Sequence, residues 1–400
     1  MESRGPLVTS HLLPLLLLLL LPHNHHRWAL GQIPSTQSQP TPAIHLSNGP
    51  GPEPVTIITF EIARIRKTSS SFELRTWDPE GVILYGNRNS DNDWFMLGLR
   101  NGRAEIQMHN YRAQVTVSAG PQLNDGKWHQ IVLKSHEDTL LLKVDGEEVL
   151  CLRQVFGPMT NKSETILNIA LGGLLFPTSS LRLPLAPALD GCLRRGSWLD
   201  PQAQMSVSTH ASLRSCAVES RPGIFFPPGT HAEFSLYDIP QPSTKPWSFS
   251  LDLELRLAAG TGNLLTLGTL SNSSWLSLYL QDQKVVLSSG SEANLDLPLV
   301  LGLPLHLKLD ESSVVLSQGQ EKTLALPPSG PGSFLNLWVH PQGRLFLGAL
   351  PGEVSSASFC LDSLWVQGQQ LDMDQALGRS QDLWTHSCPV NSSNNTGTAH

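Results

Sequence analysis

Lys67–Asn110, read as KTSSSFELRTWDPEGVILYGNRNSDNDWFMLGLRNGRAEIQMHN, is the stretch on which the fold assignment turns. Apolar and polar residues alternate in short runs. Phe72, Leu74 and Thr76 fall on one side of an extended segment, and Ala104, Ile106 and Met108 do the same further on. Between the runs, Asn101-Gly102 is a dipeptide that tight two-residue hairpins favour. Three polar positions sit among these apolar faces: the triplet Ser69-Ser70-Ser71, Asp93 ahead of Trp94-Phe95-Met96, and Asn110 at a strand end. An apolar slot between two sheets with a few polar groups at its ends suits a rigid, mostly apolar ligand carrying oxygen at each end. Taken singly, the same residues also fit a solvated serine turn, a turn-capping Asp93 and a strand-terminating Asn110.

Outward from this stretch the pattern continues. Asn124-Asp125-Gly126 precedes the run Lys127–Leu133, and Asp145-Gly146 separates Leu140–Val144 from Glu147–Leu150. From Thr56 to Cys216 turn signals recur at short intervals and no helical period emerges, so an antiparallel β-sandwich is expected. From Pro222 to Cys388 the plan returns. Leu171-Gly172 is echoed by Leu347-Gly348, and Asp190-Gly191-Cys192-Leu193 with Trp198 by Ser358-Phe359-Cys360-Leu361 with Trp365. This is a tandem duplication. The second copy keeps strand-like runs at Trp247–Leu255, Trp275–Leu280 and Lys284–Leu287 but lacks the Asp-Gly hairpins.

A chain of 400 residues with a net charge of −7 and no basic stripe argues for two domains and against nucleic acid. Residues 1–30 read as a secretory signal peptide: Arg4, an apolar run Leu12–Leu21 and small residues at Ala29 and Gly31. That run is about half of what a bilayer span needs, so a secreted, extracellular product is expected. Residues 31–54, rich in Pro, Ser, Thr and Gln, form a flexible arm; domains follow at 55–217 and 218–389, with a disordered tail at 390–400. Of the 5 cysteines, Cys192–Cys216 and Cys360–Cys388 are natural local pairs, one late in each half. Cys151 is left over and is expected to be a buried or half-buried thiol in a strand.

The motifs NDGKWH (124–129), VDGEEV (144–149), LGG (171–173) and DGCLRR (190–195) resemble the laminin G-like domain. Two such domains after a signal peptide are similar to the secreted steroid carriers of that family, a likeness running from His45 to Cys388 and most specific in SSSFELRTWDPEGV and DGCLRRGSWLD. The resemblance implies two tandem concanavalin-like jelly-roll sandwiches. It also implies a carrier that binds androgens and oestrogens (dihydrotestosterone, testosterone, oestradiol) inside the first domain and controls the free hormone level. Ser70 matches the position that bonds one end of the steroid, Asp93 and Asn110 the other end, and Phe95, Met108 and Leu167 the apolar wall. Ser135 departs from the pattern, which has methionine there. The family also implies homodimerisation through the first domain, for which Ala113–Val117 alternates as an edge strand does.

Laminin G-like domains commonly hold calcium at the sandwich rim. Asp78 matches the expected carboxylate, with the carbonyls of Glu80 and Ala188 as partners. An Asp-Pro turn without metal is the alternative. No zinc is expected, because Tyr111 and Glu164 stand where relatives would need histidines. N-glycosylation sequons lie at Asn161, Asn272, Asn391 and Asn394. There is no zincin helix, nucleophile elbow, phosphate-cradling loop or CxxC motif, so the chain reads as a binding protein, not an enzyme. The competing reading is a calcium-dependent adhesion or receptor-binding module, for which a basic rim would speak. Only Arg194-Arg195 hints at one.

Overall fold

The computed structural model describes residues 42–390 except 48, 50, 89–92, 111–112, 137–138, 154–165, 210–213, 242, 245–246, 270–273, 289–294, 311–312, 326–335, 339 and 354–355. The signal segment, most of the arm, the tail beyond 390 and all four sequon asparagines lie outside the described residues, as do Tyr111 and Glu164.

Among the described residues the first half forms thirteen strands: β1 Ile44–His45, β2 Thr56–Glu61, β3 Ser69–Thr76, β4 Gly81–Asn87, β5 Trp94–Arg100, β6 Arg103–His109, β7 Gln114–Gln122, β8 His129–His136, β9 Thr139–Val144, β10 Glu147–Leu152, β11 Ile166–Leu171, β12 Gly191–Ser197 and β13 Gln204–Thr209. They build a six-stranded sheet, β1-β12-β3-β8-β9-β10, and a seven-stranded sheet, β13-β2-β11-β4-β5-β6-β7. The alternation read from the sequence sets which side faces inward. Ser70, Phe72, Leu74 and Thr76 are buried on β3 while their odd-numbered neighbours are only half-buried. The hairpins form where expected: Asn101 and Gly102 take φ of 50° and 74°, Asp145 and Gly146 φ of 51° and 90°, the left-handed values that Asn, Asp and Gly tolerate best.

The second half continues with β14 Ser220–Pro222, β15 Ile224–Phe226, β16 His231–Ser235, β17 Ser243–Thr244, β18 Trp247–Ala259, β19 Gly262–Thr269, β20 Ser274–Gln281, β21 Lys284–Ser288, β22 Leu295–Pro298, β23 Pro304–Asp310, β24 Val314–Gln318, β25 Glu321–Ala325, β26 Gly343–Gly348, β27 Ser358–Val366, β28 Gln369–Gln370, β29 Gly378–Arg379 and β30 Ser387–Pro389. Its main sheets run β15-β27-β18-β23-β24-β25 and β22-β21-β20-β19-β26-β16-β29, the same order as the first half, strand for strand. A duplicated all-β sandwich is therefore what the chain builds. Its tight turn between β20 and β21 uses Asp282-Gln283, both at positive φ, in place of Asn-Gly.

The disulfides Cys192–Cys216 and Cys360–Cys388 close segments of 24 and 28 residues. Each stabilises its sandwich by about 3 kcal/mol on the chain-entropy account. Cys151 corrects the expectation: it lies on β10 as foreseen but is exposed. A register shift between Glu148 and Leu150 turns Leu150 and Leu152 towards the core and leaves Cys151, between them, pointing out.

Candidate functional site

Two inner faces of the first sandwich meet over an apolar cluster that includes Phe60, Phe72, Leu97, Leu99, Ile106, Met108, Leu133 and Leu142. On the seven-stranded sheet, Phe95 pairs with Met108 and Trp94 with His109. Asp93 immediately precedes β5 and Asn110 immediately follows β6, so both lie at the end of that ladder. Alternation puts Phe95 and Met108 on the inward side, with Leu97 and Ile106 below them. Leu167, on β11, joins the same sheet and packs half-buried against the cluster.

Ser70 belongs to the facing sheet, opposite Leu133 on β8 and only 6% exposed. Its Oγ accepts the N–H of Leu199 at 3.2 Å, its one hydrogen bond among the described residues. A serine hydroxyl that accepts in this way still has its own proton to donate. Leu199 is held near by Trp198, which stacks on Phe72 with ring centroids 5.4 Å apart. Asp93 is about one-third exposed and pairs with Arg88, Nη1 to Oδ2 3.3 Å. The Asn110 side-chain oxygen accepts the N–H of Ala113 at 2.8 Å, which fixes the amide at the entrance to β7. Ser135 is half-buried opposite Leu140, and its N–H donates to Thr68 O at 2.8 Å. Of the expected ligand-end residues, Ser70 lies within one sheet, while Asp93 and Asn110 adjoin strand ends of the other.

A second polar concentration lies where the sandwiches meet. Asp78 is buried in the turn after β3; its Oδ1 accepts Glu80 N–H at 3.0 Å and its Oδ2 accepts Asp190 N–H at 2.9 Å. Gly81 abuts Ala188 O, since a Cβ there would come within 2.7 Å of it, so that carbonyl borders the same turn. From the second sandwich His386 brings Nδ1 to 3.3 Å from Asp78 Oδ2, and Asp374 lies alongside. Burial raises the Asp78 carboxyl despite His386. Burial would lower His386, but the carboxylate of Asp78 outweighs it and lifts the imidazole to about 9.

Asp190 anchors the surroundings. It accepts from Arg214, from the His386 N–H at 3.0 Å and from Ser387 Oγ at 3.0 Å. His45 Nε2 also stands 3.0 Å from Oδ1. Burial alone would raise its carboxyl; Arg214 and then His45 hold it well below the usual carboxylate range. Burial in turn lowers His45. Asp190, Asp374, His386 and Arg214 escaped the sequence reading. Their one local signal is proximity to the disulfides, Asp190 two residues before Cys192 and His386 two before Cys388.

The laminin G domain family matches residues 74–204. The sex hormone-binding globulin of Homo sapiens is 67% identical over 402 residues, covering 100% of both chains, and that of Oryctolagus cuniculus 66% over 382 residues, covering 95% of this chain and 96% of its own. In three dimensions, domains LG4-5 of the mouse laminin alpha1 chain superpose with a TM-score of 0.61 at 20% identity, covering 87% of this chain and 94% of theirs, a likeness of fold alone. With the duplicated sandwich in place and identity of this order along its whole length, the chain belongs to the sex hormone-binding globulin family.

Proposed function

We propose that the first sandwich carries a sex steroid between its two sheets, with Ser70 at one end and Asp93 with Asn110 at the other. The observation that carries this reading is Ser70: a buried serine beside Phe72 and opposite Leu133 on the inner face, with a proton left to give. A donor there complements a steroid ketone. The Asp93 carboxylate accepts, so it complements a hydroxyl. The site therefore favours a ligand with a ketone at the Ser70 end and a 17β-hydroxyl at the Asp93 end.

Magnitudes support the division of labour. A steroid buries about 400 Å² of apolar surface, worth on the order of 10 kcal/mol before association costs. Rigid-body losses offset several kcal/mol of that, while the fused rings lose little internal freedom. Apolar burial gives affinity; the ends give selectivity, since a buried polar group left unpaired costs about 1–3 kcal/mol. Phe95, Met108 and Leu167 are the wall, and Ser135 leaves it shorter and more polar than a methionine would.

The same reading extends to the rest of the molecule. The carrier is secreted, its domains span 55–217 and 218–389, and β7, an edge strand with half its side chains open, is the natural seam of a two-fold dimer. Asp78 with the carbonyls of Glu80 and Ala188 is a fitting oxygen set for calcium, which supplies a structural charge at the rim. The reading is tested by equilibrium dialysis with dihydrotestosterone and its 17-ketone analogue. The hydroxysteroid should bind at least tenfold more tightly, and equal affinity removes Asp93 from its role.

A further inference from the structure

We propose that the junction of the two sandwiches is a site for a divalent cation of the borderline class, with zinc as the type ion. Asp78 of the first sandwich and Asp374 and His386 of the second would hold it. One carboxylate oxygen from each aspartate and one imidazole nitrogen already lie within 4.8 Å of one another. Ligands bound at about 2.0–2.2 Å around a tetrahedral zinc sit about 3.4 Å apart. The His386–Asp78 contact, at 3.3 Å, already has that spacing, and Asp374 needs to draw in by about an ångström.

Both carboxylates are held by donors that leave lone pairs for a metal, and His386 is fixed through its main chain, the outer support that metal sites need. Asp78 takes the N–H groups of Glu80 and Asp190. Asp374 sits in the single 3-10 turn Met373–Gln375 and is gripped by Arg379. The His386 main chain is fixed on Asp190. The guanidiniums nearby pair with the surrounding carboxylates, Arg100 with Glu105 and Glu80, Arg379 with Asp374 and Arg214 with Asp190, which leaves Asp78 to His386 or to a metal.

The imidazole decides the class. Calcium takes oxygen ligands, whereas a mixed nitrogen and carboxylate set suits zinc and its neighbours. This site therefore differs from a calcium rim built on Asp78 and main-chain carbonyls, although the two share one carboxylate. Its consequence is mechanical: the ion bonds the two sandwiches directly.

The test uses the full chain, stripped of metal and titrated calorimetrically with zinc chloride and, separately, with calcium chloride. One zinc per chain should bind, at least tenfold more weakly in H386Q and in D374N, while H386Q leaves the calcium response unchanged. X-ray absorption of the zinc-loaded wild type should show one nitrogen among oxygen ligands, a readout that needs no variant to fold. Equal zinc affinity in H386Q, or an all-oxygen shell, overturns the proposal. Loss of calcium alone in D78N leaves the rim reading standing and also overturns the shared site.

Discussion

The two sandwiches share a strand order and differ in what their inner faces do with a polar residue. Counting back from the tight hairpins, where Val144 pairs with Glu147 and Gln318 with Glu321, Phe72 corresponds to Leu253, Ser70 to Leu251 and Ser135 to Leu309. The second inner face is thus leucine where the first is serine, and Leu251 is 0% exposed. The second sandwich has its own buried polar side chain, Gln318 at the register of Val144. Its chain consumes that group completely: Gln318 accepts from Val300 N–H at 2.7 Å and donates to Val300 O at 2.9 Å and Leu303 O at 2.7 Å. Ser70 keeps a proton uncommitted. One scaffold thus holds one buried polar side chain bonded at three points by its own chain and another that accepts a single bond from Leu199, and the proposed steroid site rests on that difference.

The sharpest way to break this comparison is to exchange the residues. L251S puts an unpartnered hydroxyl and a small cavity into a packed core and should cost about 3 kcal/mol in denaturant unfolding without creating a steroid site. If L251S instead confers binding on the second sandwich, the inner faces are not different in kind. The reverse change, S70L, adds bulk to the inner face and removes the donor. It should weaken dihydrotestosterone about 100-fold in equilibrium dialysis, with a smaller loss in thermal midpoint because the Leu199 N–H loses its acceptor. D93N probes the other end. An amide donates as well as accepts, so the preference for the 17β-hydroxyl over the 17-ketone should shrink about tenfold, with total affinity less affected.

The smallest effect sharpens the comparison at the rim. His129 is bonded to Asp145 and Asp125 at 2.8 and 2.9 Å, whereas Leu303 stands at its register in the second sandwich. Burial lowers the imidazole, but the bonds to Asp145 and Asp125 leave it above its ordinary value. A histidine raised in this way contributes fully below about pH 6.5, its unfolded value, and loses that contribution as pH rises through the folded one. H129Q should therefore cost about 0.5–1 kcal/mol at pH 6 and nearly nothing at pH 9, and L303Q should show no such slope. A pH-independent loss in H129Q would reassign the residue to packing.

Alternation along Lys67–Asn110, the Asn-Gly and Asp-Gly turns and the repeated Gly-Cys-Leu motif were enough to determine a duplicated β-sandwich, because a period of two and a turn's φ demands are local properties of the chain. They also placed Phe72, Leu74, Ile106 and Met108 inward. What alternation cannot tell is how an inward polar residue is satisfied: the bonds of Ser70 and Gln318 come from Leu199 and Val300, which arrive from elsewhere in the chain. Cys151 was misread for a related reason, since a bulge in the β9–β10 pairing moves the phase of the strand. The junction of Asp78 with Asp374 and His386 joins residues about 300 positions apart in a chain of 400, and only the docking of one sandwich against the other brings them together. The sequence by itself determined the two folds, through short-range periodicity; tertiary structure decided which buried polar groups are satisfied from within, because satisfaction of a buried group depends on partners that sequence distance hides.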